Sequence, residues 1–306
     1  MLFRSLPMAN VPLVIGPVIA ADPPPDSFAP FRSRPCTPLA QPRYHPNRIA
    51  SSLQSRLVVR SGLRQTYFQR ARRILIGNAL AANRMKPEWR SKCRRLTYSG
   101  VEHEVFVPPS ERKTTETLRL LFVGRLVPYK GVELLLRAAA LAARRCAFKL
   151  EIIGASDPVY ERFLRQLANE LQLESLVRFR PPCPRNELVW HYQRADVFCF
   201  PTLCDTYGIA LLEAMSCGCA TLVSDVAAAG EIVNRQTGHR VLLNNPEQYI
   251  VEFADAIAQL AANRSRTRAL GEAARPYVVE FHDWGKIGRD LLQIYEELRL
   301  ELGSPQ

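Results

Sequence analysis

The chain has 306 residues, 47% apolar and 23% charged, with a net charge of +12. That length exceeds one core and calls for two domains, and the composition excludes a disordered chain, a collagen and a coiled coil. The basic excess is one-sided, with 19 Lys/Arg against 6 Asp/Glu in residues 1–115 and 22 against 23 in the remainder.

Arg4 and the apolar stretch Val11–Ala21 resemble a short signal peptide, but Pro12, Gly16 and Pro17 interrupt it, and a buried strand followed by a loop reads the same way. Eleven of the 23 prolines lie in the first 46 residues, an extended loop centred on Pro23-Pro24-Pro25. A basic helical segment over Ser52–Arg73 follows, then a short strand at Ile74–Ile76 and a helical piece from Asn78. From Leu118 the pattern is regular. Strands are predicted at Leu120–Val123, Phe148–Ile153, Leu176–Phe179, Val197–Phe200 and Ala220–Val223. Helices alternate with them at Val132–Arg145, Pro158–Leu173, Glu187–Arg194 and Gly208–Ser216. With no two-residue hairpin turn, this alternation predicts a parallel sheet with crossover helices, whose ligands bind at the carboxyl ends of the strands. The tail reads as helices at Tyr249–Ala262, Arg266–Ala274 and Asp283–Leu302, the last with one apolar face. No apolar run reaches the ~18 residues of a membrane-spanning helix.

Eight cysteines are scattered through the chain, several inside apolar runs, and Cys217-Gly-Cys219 is a lone C-x-C. They read as reduced thiols in a cytoplasmic setting rather than as a disulfide framework or a zinc site. The histidines at 103, 191, 239 and 282 lack metal-ligand spacing.

Two loops at strand ends carry the chemistry. The first, Gly124-Arg125-Leu126-Val127-Pro128-Tyr129-Lys130-Gly131, sets two cations between glycines ahead of a helix, where they can converge on an anion. It is not a Walker A loop, since no Ser or Thr follows Lys130. The second runs from Pro201 to Met215, with Asp205 in the loop and Glu213 in the second turn of the following helix. Free amides near Gly208 and Ile209 favour a phosphate or sugar oxygen. By spacing alone, the reading of Asp205 as a helix N-cap and Glu213 as a surface carboxylate is the favoured one.

Together these segments resemble the retaining GT-B glycosyltransferases of glycosyltransferase family 4. That family has a G-R-L-x-x-x-K-G loop, matched by Gly124–Gly131, and an E-x7-E motif, matched by Asp205 and Glu213 within Pro201–Met215. Ala195-Asp196-Val197-Phe198, Cys217-Gly218, and Ser99-Gly100-Val101-Glu102 with Phe106 and Pro108 are also similar to family segments, as is Gly16-Pro17-Val18, which resembles a G-P-x-G-G loop. The resemblance runs from about Ile74 to Tyr295 and implies an α/β chain of GT-B architecture, two Rossmann-like domains with parallel sheets. The expected division is an incomplete N-terminal, acceptor-side domain over 1–115, a nucleotide-sugar donor domain over 116–281, and a helix over 282–306 that packs back on the first.

The resemblance also implies roles. Arg125 and Lys130 would hold the donor diphosphate and offset its charge as it leaves. Glu213 would accept from the ribose hydroxyls, and Asp205 would face the transferred sugar. Gly124 and the amides of Tyr207, Gly208 and Ile209 would lie near sugar and phosphate. The co-substrate would be a UDP- or GDP-sugar, with no cofactor; the chain has no D-x-D motif and no metal is expected. The activity implied is retaining hexosyl transfer to a glycan or lipid-linked acceptor, in the cytoplasm and peripherally at the inner membrane face, met by the basic segments Arg56–Arg73 and Arg84–Arg95. Asp205 stands where the family has Glu, one methylene shorter, and the opening strands of the N-terminal domain have no counterpart. Both departures leave open a non-catalytic remnant or partner subunit that binds nucleotide-sugar without transfer. A glycoside hydrolase has no need of the Arg/Lys loop, and nucleic-acid binding is not expected, for want of a recognised motif.

Overall fold

The computed structural model describes residues 14–18, 26–32, 63–83, 85–112, 115–205 and 207–301. Arg56, Arg60, Arg84, the Pro23–Pro25 run, Cys36 and His45 lie outside them. The chain divides into two compact units: residues 1–20, 43–98 and 288–306 in one, residues 21–42 and 99–287 in the other. The division thus falls at Tyr98/Ser99 rather than near residue 115, residues 21–42 group with the second unit, and the last helix, Trp284–Glu301, is shared between the two at Ile287/Gly288.

The first unit holds a parallel three-stranded sheet of β1 (Val14–Val18), β2 (Arg73–Ile76) and β3 (Cys93–Arg95), in that order. Val11–Ala21 therefore carries a strand, and Gly16–Val18 is the end of it rather than a loop. Ile74 and Ile76 face Phe68, Ala81 and Trp89, with Phe68 and Trp89 stacked at 4.9 Å. Leu75 points the other way, to Leu96 and Ile294, the alternation a strand imposes. Of the predicted Ser52–Arg73 helix, Leu63–Arg70 is helical, Arg73 already belongs to β2, and residues 52–62 lie outside the described residues.

The second unit is built on a six-stranded sheet. Its strands are β4 (Leu118–Val123), β5 (Phe148–Ile153), β6 (Val177–Arg180), β7 (Val197–Phe200), β8 (Ala220–Ser224) and β9 (Gly238–Val241), in the order β6-β5-β4-β7-β8-β9. Every pairing is parallel. Leu118, Leu120 and Phe122 of β4 enter one apolar layer, under the helices Val132–Ala142, Pro158–Glu170 and Pro246–Ala262. Leu121 enters the opposite layer with Phe198, Phe200, Leu211 and Val278. Both faces of the central strands are buried, as a parallel sheet flanked by crossover helices requires. The order reverses between β4 and β7, and open α/β sheets bind ligands in the crevice outside the strand ends at that switch point. The two loops singled out by the sequence follow β4 and β7.

Among the described residues seven cysteines are free, with Cys199, Cys217 and Cys219 buried. Burial pushes all three thiols up, Cys219 to about 11. Among the described residues no helix is long and apolar enough to cross a membrane.

Candidate active site

Gly131 joins the two loops. It ends the short turn Pro128–Lys130 at φ 72° and opens the Val132–Ala142 helix, and a Cβ there would lie 1.9 Å from the Pro201 carbonyl oxygen. Only glycine fits both demands. The loops are then tied through one carbonyl, because Tyr129 O accepts from Leu203 N at 2.8 Å and from Thr202 Oγ1 at 3.3 Å. Gly154 gives the strand ends a similar close approach, its Cβ position lying 1.8 Å from Gly124 O.

On this frame Lys130 Nζ is ion-paired with Asp205 Oδ2, both largely shielded from solvent. The Lys130 ammonium also stands 5.5 Å from the Phe200 ring centre and 5.7 Å from that of Tyr129. Arg125 is exposed and donates to the Tyr129 hydroxyl at 2.5 Å. Tyr129 therefore lies between the two cations, its own hydroxyl pushed up by burial against the opposing pull of Arg125. Asp205 Oδ1 accepts from Tyr207 N at 2.9 Å and Gly208 N at 3.0 Å, ahead of the Ile209–Ser216 helix that Gly208 starts at φ 61°. Burial alone would raise the Asp205 carboxyl; Lys130 and the two amides outweigh it and hold it below its usual range.

Asp205 is not the N-cap, a place taken by Gly208 with no side-chain cap bond; its carboxylate instead closes the turn ahead of the helix and makes the ion pair with Lys130. Two of the three amides expected to serve a ligand are taken by Asp205, so an incoming oxyanion has to displace it.

Glu213 sits elsewhere on the same helix, where its Oε2 accepts from the Tyr192 hydroxyl at 2.9 Å. Tyr192 is fully buried, in the Arg185–Arg194 helix. Burial raises the Glu213 carboxyl despite the Tyr192 hydrogen bond and the nearby Arg185, and Glu102 raises it further. The folded state therefore favours the protonated form. That preference stabilises fully below the unfolded Glu value of about 4.3 and is lost as pH rises through the raised folded value. Glu213→Gln is accordingly expected to match the parent's unfolding midpoint near pH 4 and to equal or exceed it at pH 7.5. A midpoint several degrees below the parent's at pH 7.5 would contradict this. Sequence reasoning missed Tyr192; its one signal was a phenol four residues before Asp196, in a helix otherwise read as a connector.

Among the described residues, one group could share a cation: His103, Glu104 and Asp283. They pair with one another at 3.3 Å and 3.2 Å, and none is a residue of the two loops.

The switch-point loops of this doubly wound sheet bring two cations and a largely shielded carboxylate together at the place where open α/β sheets bind ligands. The profile of the group 1 glycosyl transferases matches residues 106–276, and the chain belongs to that family. It is 32% identical over 222 residues to a D-inositol 3-phosphate glycosyltransferase of Corynebacterium jeikeium (strain K411), covering 67% of this chain and 52% of the relative. A second relative of the same name, from Corynebacterium urealyticum, is 32% identical over 218 residues, covering 65% of this chain and 50% of its own. The chain thus spans about half the length of the curated relatives it matches. Among solved structures it is similar to the sucrose-phosphate synthase of Thermosynechococcus elongatus, with a TM-score of 0.67 and 23% identity over 81% of this chain and 62% of that one. Anabaena HepE in complex with UDP gives 0.66 and 16%, over 83% and 70%. The fold is the GT-B architecture that the motifs imply.

Proposed function

We propose that the chain transfers a hexose from a nucleoside diphosphate sugar, without a metal and with retention at the anomeric carbon, to a glycan or lipid-linked acceptor. One observation carries the reading: the Arg125/Lys130 loop and the Asp205 loop meet at the switch point, joined through the Tyr129 carbonyl. A diphosphate entering there replaces Asp205 as the partner of Lys130 and reaches exposed Arg125. The released carboxylate and the amides of Tyr207, Gly208 and Ile209 then face the sugar, while Glu213 accepts from the ribose. Two fixed cations offset the charge that grows on the leaving diphosphate.

HepE was solved with UDP, so UDP is the first nucleotide to test, with GDP second. The curated relatives' name adds a phosphorylated inositol to the acceptors worth assaying. The basic first part supports work at the inner face of the cytoplasmic membrane, where each cation near an anionic surface contributes about 1 kcal/mol. A second reading is a nucleotide-sugar binder without transfer. It is favoured by the shorter Asp205, already committed to Lys130 and two amides.

Calorimetric titration with UDP and GDP tests the donor site. Each charged hydrogen bond contributes about 1.5–3 kcal/mol, so Arg125→Ala/Lys130→Ala is expected to weaken diphosphate binding by about a hundredfold or more. Failure of the folded parent to bind either nucleotide would sink the donor-site assignment for both. Binding with neither donor hydrolysis nor transfer would select the second reading.

A further inference from the structure

The outer strands of the large sheet break the rule its centre obeys. On the face toward the Arg185–Arg194 helix, β5 carries Lys149 and Glu151 and β6 carries Arg178 and Arg180, in place of apolar side chains. Between these strands and the helix lies a cavity of about 530 Å³. That is the volume of a small-molecule site, far larger than one oxyanion needs. Arg119, Lys149, Arg178, Arg180 and Arg194 line it against two carboxylates, Glu151 and Glu174.

Some of that charge is spent internally. Glu151 pairs with Arg180 and lies 2.6 Å from His191 Nδ1, and Arg119 is held by Asp196 at 2.7 Å. Lys149 donates to the Ser175 carbonyl at 2.6 Å. Arg178 is exposed with no hydrogen-bond partner among the described residues. Arg194 lies over the Trp190 ring at 4.5 Å, which fixes its guanidinium beside the opening. Trp190 itself is 49% exposed, an indole that keeps half its surface open above a basic groove.

The groove is not the donor site. Arg119 lies five residues before Gly124, about 17 Å along β4, and the lining comes from residues 119–121 of β4, residues 149–151 of β5, residues 174–178 and Arg180 at β6, and the end of the helix, with no residue of the two loops. We propose that it is a second binding site, for an acidic oligosaccharide: Arg178 and Arg194 take the acidic groups, and the open half of Trp190 packs against the C–H face of a sugar ring. The choice of a saccharide over another polyanion rests on the glycosyltransferase reading, since a nucleobase would also stack on the indole. A glycan held here lies outside the reacting centre, as an anchored segment of a longer chain.

The full chain is titrated with a heparin-derived sulfated tetrasaccharide, neutral maltotetraose, inorganic sulfate and a 12-nucleotide single-stranded DNA. The sulfated tetrasaccharide is expected to bind at least tenfold more tightly than each of the others. Arg178→Ala/Arg194→Ala weakens it at least tenfold and Trp190→Ala at least threefold, with unfolding midpoints and UDP affinity as in the parent. The proposal is overturned if the tetrasaccharide does not bind, if it binds the variants as it binds the parent, or if sulfate or DNA binds as tightly through these residues. UDP binding is scored separately: tetrasaccharide binding without UDP binding keeps the groove and removes the donor site, and the converse keeps the donor site alone.

Discussion

Asp196→Ala is expected to cost about 3–5 kcal/mol at neutral pH, as breaking a buried ion pair from one side does. Asp196 begins the turn into β7, and its side chain is only 7% exposed. Its Oδ2 accepts from Arg119 N at 2.9 Å and from Arg264 Nη2 at 2.7 Å, and Oδ1 from Arg119 Nη2 at 2.7 Å. One carboxylate thus fastens β4, β7 and the start of the Arg264–Phe281 helix. Arg264 Nε and Nη1 are buried without a partner, so the alanine variant strands a guanidinium that has no alternative anchor. Burial works against the charge of Asp196, but its bonds to Arg119 and Arg264 hold its carboxyl below the usual range. A lowered folded pKa stabilises above the unfolded Asp value of about 3.9, and the contribution disappears as pH falls through the folded value. Urea unfolding of parent and variant is therefore expected to differ fully at pH 7 and to converge toward pH 3. A loss under 1 kcal/mol at pH 7 would show that the two arginines find other partners.

Gly131→Ala is expected to have the second large effect, on both stability and ligand. A left-handed backbone costs a side-chain-bearing residue about 1–2 kcal/mol, and overpacking adds about 1–3 kcal/mol. Backbone gives less readily than a side chain, and the new methyl would meet the Pro201 carbonyl at 1.9 Å. Relief requires the loops after β4 and β7 to part, which removes Lys130 from Asp205. UDP affinity is expected to fall more than tenfold along with about 2–5 kcal/mol of stability. Unchanged nucleotide affinity in the folded variant would mean that the loops bind independently.

How much of this was legible in the chain depended on where packing supplied a local signal. Phe148–Ile153 and Val197–Phe200 were read to the residue, because buried parallel strands are short apolar runs with clear ends. β9 was missed: Gly238-His239-Arg240-Val241 lies at the sheet edge and has one large apolar residue, so nothing distinguishes it from a loop. The helix Ala227–Ile232 is short and contains Gly230, and the sequence pattern predicts no element there. The Arg264–Phe281 helix was stopped at Ala274, ahead of Pro276, yet it continues through that proline, with Ala274 and Val278 packed into the apolar layer. Tertiary burial outweighs a local penalty there.

At the site, residue types and strand-end placement were legible, but partners were not. Glu213 and Asp205, paired by the motif, make separate contacts, one with Tyr192 and one with Lys130. No spacing rule reports that Gly131 abuts Pro201, because the approach depends on β4 lying beside β7.

That neighbourhood has a consequence in time. Leu120 pairs with Val197, so the middle of the sheet joins strands 77 residues apart, after β5 and β6 have already been made. A ribosome adding about 5–20 residues per second needs roughly 4–15 s to go from one to the other. During that interval the Arg125/Lys130 loop exists without its counterpart, and the inner edge of β4 is open to mispairing. The crevice between the two loops is therefore a late product of synthesis, completed only when β7 reaches β4.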